Sequence, residues 1–126
     1  MNLPKSLIDA IADQQLTFLE QQPALIGTRA EQGRIVEAYG DLWPEHIHLG
    51  SPACVIDCLE FDRDFRLFDP LEELAFLFME CELLDAAWVG REIVEIYGQQ
   101  NGDSLSEPLL RFYCSHRATT RAKIVA

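Results

Sequence analysis

Residues 69–84 read DPLEELAFLFMECELL, and this stretch decides the fold. Its apolar residues recur at intervals of three and four, which is the period of an α-helix with one buried face. Asp69 before Pro70 indicates the helix start, because Asp caps free N–H groups and Pro suits the first helical position. The apolar face is wide, so we predict a deeply buried central helix. Its members are Leu71, Leu74, Ala75, Leu77, Phe78, Cys81 and Leu84.

The segments on both sides of the central helix predict four more helices and a few short strands. Helices are expected over residues 4–21, 23–33, 86–99 and 106–125. Residues 34–39 read as a strand, and residues 45–49 and 53–58 as a hairpin around residues 50–52. These strands are too few for a doubly wound sheet. The predicted fold is therefore α+β and mainly α, with about five helices and a short β-hairpin in one domain over residues 1–126.

The composition favours a globular protein and excludes some partners. The 126 residues are 48% hydrophobic and carry a formal net charge of -11. The length suffices for one packed core, and the acidic charge predicts no nucleic-acid partner and no membrane partner. No apolar run approaches the roughly 20 residues that span a bilayer. The N-terminus lacks a signal-peptide pattern, so we expect a cytoplasmic protein with reduced cysteines.

Two carboxylates in the middle of the chain are candidate catalytic groups. Asp41 follows Gly40 in a predicted turn, where it can orient a hydroxyl nucleophile or simply bond to its own backbone. Asp57 lies in an apolar run, where a carboxylate is costly unless it is paired or metal-bound. On a strand it shares a face with Val55 and can point to a cleft, or it can end the strand in solvent. Together the two suit metal-assisted phosphoryl transfer.

A zinc site is a further reading of the same region. Its four ligands would be His46, His48, Cys54 and Cys58. Their spacing is not that of a known zinc ribbon or finger. Cys54 and Cys58 can equally act as small apolar residues of a strand. Asp69 is interpreted as a structural helix cap rather than a catalytic acid.

The ordered motifs resemble a known family. They are YGDLWPEH (39–46), IDCLEF (56–61), FDPLEELAFL (68–77) and FYCSHRATTRAK (112–123). In this order they resemble the C-terminal lobe of the aminoglycoside phosphotransferase and choline kinase-like family, which has a protein-kinase-like fold. The resemblance is greatest to bacterial aminoglycoside phosphotransferase-like proteins, which are sometimes fused to a P-loop ATPase domain. It covers about two-thirds of the chain.

The resemblance implies roles for individual residues. It implies that Asp41 is the catalytic base and that Asp57 and His46 bind metal, with Mg²⁺ and ATP as cofactors of an active enzyme. His46 stands where most members have Asn, and imidazole is a poorer Mg²⁺ ligand than an amide oxygen. Tyr39 replaces a His whose role is structural. An acidic segment with Glu60, Asp62 and Asp64 would suit a cationic small-molecule acceptor, although these side chains also fit a solvated loop.

The same comparison shows what the sequence lacks. Kinase-like enzymes hold ATP between two lobes, using a strand Lys and a phosphate-covering loop. The lysines are Lys5 and Lys123, neither on a predicted strand, and we expect the N-terminal nucleotide-binding lobe to be absent from this chain. We therefore expect a phosphotransferase-like lobe that is incomplete or inactive alone. The alternatives are a non-catalytic remnant or interaction module, and the zinc-binding module. Without that lobe, apolar side chains that it would cover are expected to be exposed. Such side chains tend to be buried by association, so we predict a homodimer or a partner that supplies the lobe.

Overall fold

The computed structural model describes residues 3–125, with the side chains of residues 3–124. Helices dominate this part of the chain, and the predicted class, α+β and mainly α, is confirmed. None of its helices has the length and apolarity needed to cross a bilayer. The five helices of the described residues are α1 (Lys5–Gln21), α2 (Pro23–Glu31), α3 (Pro70–Leu83), α4 (Ala87–Asn101) and α5 (Glu107–Val125).

Four two-residue strands form two antiparallel pairs among the described residues. Strands β2 (Ile47–His48) and β3 (Cys54–Val55) make the predicted hairpin, but it is shorter than expected. A 3-10 helix over Pro44–His46 replaces the start of its first strand. Strands β1 (Val36–Glu37) and β4 (Leu67–Phe68) form the second pair. The sequence analysis did not predict β4, because its partner lies about thirty residues earlier in the chain.

The predicted start of α3 and the predicted end of α4 are each explained by a capping residue. The Asp69 carboxylate accepts a hydrogen bond of 2.9 Å from the Leu71 N–H, and Pro70 is the first residue of α3. Gly102 adopts a left-handed backbone with φ 57° after the last residue of α4, which is a common way to end a helix. The prediction is wrong for Leu84, which follows the end of α3 and is 63% exposed.

The core is built around α3, which packs against α4 on one side and α5 on the other. Helix α1 lies outside this core and has no buried residue. It is attached to α5 through stacking of Phe18 on Phe112, whose ring centroids are 4.6 Å apart. The buried apolar cluster consists of Leu71, Leu74, Ala75, Phe78, Val94, Leu109, Leu110 and Tyr113.

Helices α3 and α4 approach each other most closely at Gly90. A Cβ atom at this position would lie 2.9 Å from the Phe78 Cα atom and 3.2 Å from the Cys81 Cβ atom. The backbone of α3 cannot yield without moving the whole helix. Gly90 therefore sets the separation of the two helices that form most of the core.

We expect Gly90→Ala to lower the free energy of unfolding by about 1–3 kcal/mol, because overpacking outweighs the helix propensity gained. Gly27→Ala is the matched control, since Gly27 lies within α2 and a Cβ atom there meets nothing within 4 Å. The control should raise stability by about 0.5–1 kcal/mol. Urea denaturation of the three proteins measures both effects. Equal stabilisation by the two substitutions would contradict the close approach.

Candidate functional site

The Gly40–Asp41 turn is held by a buried carboxylate from α3. The two oxygens of Glu73 accept the N–H groups of Tyr39 at 2.9 Å and of Gly40 at 2.7 Å. Gly40 has φ 94°, and a Cβ atom there would lie 2.9 Å from the Leu59 side chain. Only glycine fits this backbone without strain. Hydrogen bonds to Glu73 of α3 therefore hold the turn that carries Asp41.

Asp41 is half-buried and makes two contacts within its own segment. Its Oδ1 atom accepts a 2.6 Å hydrogen bond from the indole N–H of Trp43, which leaves Oδ2 for another donor. Its backbone carbonyl lies 2.9 Å from Nδ1 of His46. Because a carbonyl can only accept, Nδ1 of His46 is the donor in this contact, and Nε2 is not engaged by it.

The segment that carries Asp57 is bonded to the Asp41 segment on both sides of Asp57. The Ile56 N–H donates to the His46 carbonyl at 3.0 Å, and the Leu59 N–H donates to the Tyr39 carbonyl at 3.3 Å. These two bonds bring Asp57 beside the turn that carries Asp41. The two predicted carboxylates thus come from neighbouring segments of one site.

The predicted strand placement of Asp57 is wrong. Strand β3 ends at Val55, and Asp57 is exposed with a left-handed backbone at φ 61°. A non-glycine residue in this region costs of order 1–3 kcal/mol unless its surroundings require it, and such residues cluster at functional sites. The left-handed backbone could not be inferred from an apolar run that reads as a strand.

The four predicted zinc ligands do not form a cluster in the structure. Within residues 3–125 no three His, Cys, Asp or Glu side chains are grouped in a way that could hold a metal ion. His48 faces Cys54 across the β2–β3 pair, but the structure does not bring the four predicted zinc ligands together. Mg²⁺ usually needs only one or two carboxylates, with water and phosphate oxygens completing the shell. Asp57 supplies one exposed carboxylate, and the adjacent Ile56 N–H is bonded to the His46 carbonyl.

The predicted acidic acceptor segment lies apart from Asp41. Glu60, Asp62 and Asp64 are all exposed. The Asp62 side chain accepts the Asp64 N–H at 2.9 Å and so caps the 3-10 helix over Arg63–Arg66. None of the three lines the cavity beside Asp41. Their predicted role in acceptor binding stays a prediction, and Asp62 has a local structural role.

A cavity of about 160 Å³ lies beside Asp41. Trp43 and Phe76 supply aromatic walls, and their rings meet edge to face with centroids 5.1 Å apart. Arg117 and Arg121, one turn apart on α5, supply two guanidinium groups to the same cavity. In the sequence these arginines stand only within the 112–123 motif, because nothing local shows that α5 returns to the Asp41 turn.

Burial raises the pKa of two groups in this region. Desolvation is the main cause of the raised pKa of Glu73, and the two backbone N–H donors oppose it. Desolvation also raises the pKa of Tyr39, with a smaller contribution from the negative charge of Asp57. The Tyr39 hydroxyl is therefore neutral at physiological pH.

The relatives of the chain are uncharacterized mycobacterial proteins. Over 109 residues it is 35% identical to the uncharacterized protein Rv2004c of Mycobacterium tuberculosis and to the uncharacterized protein Mb2027c of Mycobacterium bovis. The match covers 85% of this chain but 22% of each relative, so the chain spans about a fifth of the length of these proteins. No family model matches the chain. No solved structure matches it.

Proposed function

We propose that the chain is the catalytic lobe of a small-molecule phosphotransferase, similar to the C-terminal lobe of the aminoglycoside phosphotransferase family. The observation that supports the proposal is that backbone hydrogen bonds connect the segment that carries Asp41 to the segment that carries Asp57. The Asp41 turn, held by Glu73, is hydrogen-bonded on both sides of the left-handed Asp57. Two carboxylates on neighbouring, hydrogen-bonded segments suit metal-assisted phosphoryl transfer, in which one orients the nucleophile and the other binds Mg²⁺.

In this proposal the residues of the chain orient groups rather than form covalent bonds. Asp41 Oδ2 accepts the proton of an acceptor hydroxyl. The hydroxyl oxygen forms a bond to the terminal phosphorus of ATP while the bond to the bridging oxygen breaks and ADP leaves. Asp57, with Nε2 of His46, would hold Mg²⁺, which neutralises charge on the phosphates. Another lobe or chain supplies the remaining contacts to the nucleotide.

The test is calorimetric titration of ATP into the chain with and without Mg²⁺. We expect weak binding that depends on Mg²⁺ and that Asp57→Asn weakens about tenfold or more, because a metal-binding carboxylate is lost. Asp85→Asn is the matched control. Asp85 is also exposed and left-handed, with φ 57°, but it lies in the turn between α3 and α4. The control should bind ATP within about twofold of the wild type.

Equal weakening by the two substitutions, or binding that ignores Mg²⁺, would contradict the proposal. Absence of binding in every variant would favour the second candidate, a non-catalytic interaction module. That candidate has an observation of its own. Phe61 and Phe65 are 77% and 61% exposed, their ring centroids are 5.7 Å apart, and Val55 and Ile56 are also exposed. Exposed apolar groups of this kind are usual at protein–protein contacts, including those of a homodimer.

A further inference from the structure

We propose that the cavity beside Asp41 binds the phosphate acceptor, and that this acceptor is a small hydroxyl compound that carries an oxyanion. The inference rests on the proposed function, and it adds the charge and chemical class of the substrate. It assigns Arg117 and Arg121 as the residues that hold the carboxylate or phosphate of the acceptor.

The position of the cavity makes it the place for an acceptor. Asp41 lines it together with Trp43, Phe76 and the two arginines. Trp43 occupies Oδ1 of Asp41, so Oδ2 is the oxygen left for an acceptor hydroxyl. A volume of about 160 Å³ suits a small polyol rather than a large aminoglycoside. The volume of the cavity therefore matches a small acceptor.

The guanidinium donors of the cavity suit an anionic group. Arg121 lies over the Trp43 ring, with its guanidinium carbon 4.2 Å from the ring centroid. Its Nη1 group is paired with the Glu80 carboxylate. That contact does not use the other N–H donors of the guanidinium group. A guanidinium stacked on an indole is fixed in orientation, and its planar fork matches carboxylate and phosphate oxygens.

Arg117 provides a second guanidinium one helical turn earlier. It lies over the rings of Phe68 and Phe76, at 5.2 Å and 5.8 Å from their centroids. Its Nε atom is 3.2 Å from the Glu72 carboxylate but forms no hydrogen bond of good geometry, although it is buried. Both arginines are thus held by packing on aromatic rings, and a guanidinium binds an oxyanion through charge-assisted hydrogen bonds.

The opposing reading is that both arginines only connect α5 to α3 through Glu72 and Glu80. That reading predicts no preference among small solutes. Binding of small solutes in the cavity, detected by the fluorescence of Trp43, distinguishes the two interpretations. Because the chain has two tryptophans, the Trp88→Phe substitution leaves Trp43 as the only source of tryptophan emission. Trp88 is 74% exposed on α4, away from the cavity.

The experiment titrates glycerate, glycerol 3-phosphate, glycerol, choline and sulfate into the Trp88→Phe protein at constant ionic strength. We expect at least one of the two anionic polyols to bind about tenfold more tightly than glycerol, choline or sulfate, because only the anionic polyols offer both an oxyanion and an uncharged polyol hydroxyl. The carboxylate and phosphate probes decide which oxyanion the site takes. Asp41→Asn should reduce the advantage of the polyol over sulfate.

Substitutions on α5 test whether Arg121 binds the anionic group of the acceptor. Arg121→Gln combined with Glu80→Gln removes the cation without leaving a buried carboxylate unpaired. The double substitution should weaken binding of the anionic probe about tenfold. Arg111→Gln is the matched control. Arg111 lies on the same helix, pairs with Glu82 and Glu107, and lies 5.2 Å from the Phe78 ring centroid, yet it does not line the cavity. It should leave probe binding within about twofold.

Equal binding of sulfate and the anionic polyols, equal or tighter binding of choline, or no binding of any probe would overturn the inference. Asp57-dependent binding of Mg²⁺ and ATP in the absence of a probe response would refute the acceptor class alone. If anionic polyols bind but Mg²⁺-dependent nucleotide binding is absent, the proposed function fails and the acceptor assignment fails with it.

Discussion

Arg29→Met is expected to lower the free energy of unfolding by about 3–5 kcal/mol, because it leaves the buried Asp69 without a cation and Asp103 with only Arg34, at 3.9 Å. Arg29, Asp69 and Asp103 are each less than a tenth exposed. The guanidinium donates to both oxygens of Asp69, at 2.6 Å and 2.7 Å, and to both oxygens of Asp103, at 2.6 Å and 2.9 Å. Methionine keeps the apolar stem but supplies no donor.

This cluster joins three parts of the chain that are distant in sequence. Arg29 lies on α2, Asp69 caps α3, and Asp103 follows α4, 74 residues beyond Arg29. The Tyr113 hydroxyl adds a 3.2 Å hydrogen bond to Asp69. The carboxylate of Asp69 raises the pKa of Arg29 above its ordinary value, so the arginine is charged at any accessible pH. Its removal therefore loses a permanent charge on which both carboxylates depend.

The measurement is urea denaturation followed by circular dichroism, with Lys5→Met as the matched control. Lys5 forms a 2.7 Å ion pair with Asp9 on α1, but both side chains are largely exposed. Exposed pairs contribute little, so the control should change stability by less than about 0.5 kcal/mol. A loss below about 1 kcal/mol for Arg29→Met would show that water replaces the guanidinium and that the cluster is not essential.

Glu73→Ala is expected to destabilise the protein by about 2–4 kcal/mol and to abolish Mg²⁺-dependent ATP binding, because the N–H groups of Tyr39 and Gly40 lose their acceptors. The turn that presents Asp41 would then have no support from α3. Glu73→Gln should cost less, since one amide oxygen can still accept one N–H group. Glu82→Gln is the control on the same helix, where Glu82 is exposed and pairs with Arg111.

The raised pKa of Glu73 also predicts a pH dependence. The folded state binds the Glu73 proton more tightly than the unfolded state, whose ordinary Glu pKa is 4.5. The contribution of Glu73 to the free energy of unfolding is therefore full below 4.5 and decreases as the pH rises through the raised pKa. Glu73→Gln lacks this titration. The difference in free energy of unfolding, wild type minus Gln variant, should decrease over that interval, and an increase would contradict the prediction.

The helix boundaries were predictable because they depend on neighbours within a few residues. Asp69 caps the turn that follows it, and Gly102 ends α4 by adopting a left-handed backbone. The apolar period of residues 71–81 indicates the buried face of α3 for the same reason. These signals are local energies, so a single sequence carries them.

The candidate site was predicted in part. Asp41 and Asp57 were chosen for their residue type and surroundings, and their segments do lie together. The strand assignment of Asp57 was wrong, because an alternating apolar run cannot reveal a single left-handed residue. The family resemblance and its function stay predictions that the nucleotide and acceptor titrations test.

The sequence by itself determined the fold class, the helix boundaries and the two carboxylates that deserve testing. Only the tertiary structure decided which groups surround them. The pairing of Arg29 with Asp103, the support of the Asp41 turn by Glu73 and the return of Arg121 to Trp43 all join segments more than thirty residues apart. Such contacts form when the chain closes around a shared core, so their energies depend on the whole packing and not on any local pattern.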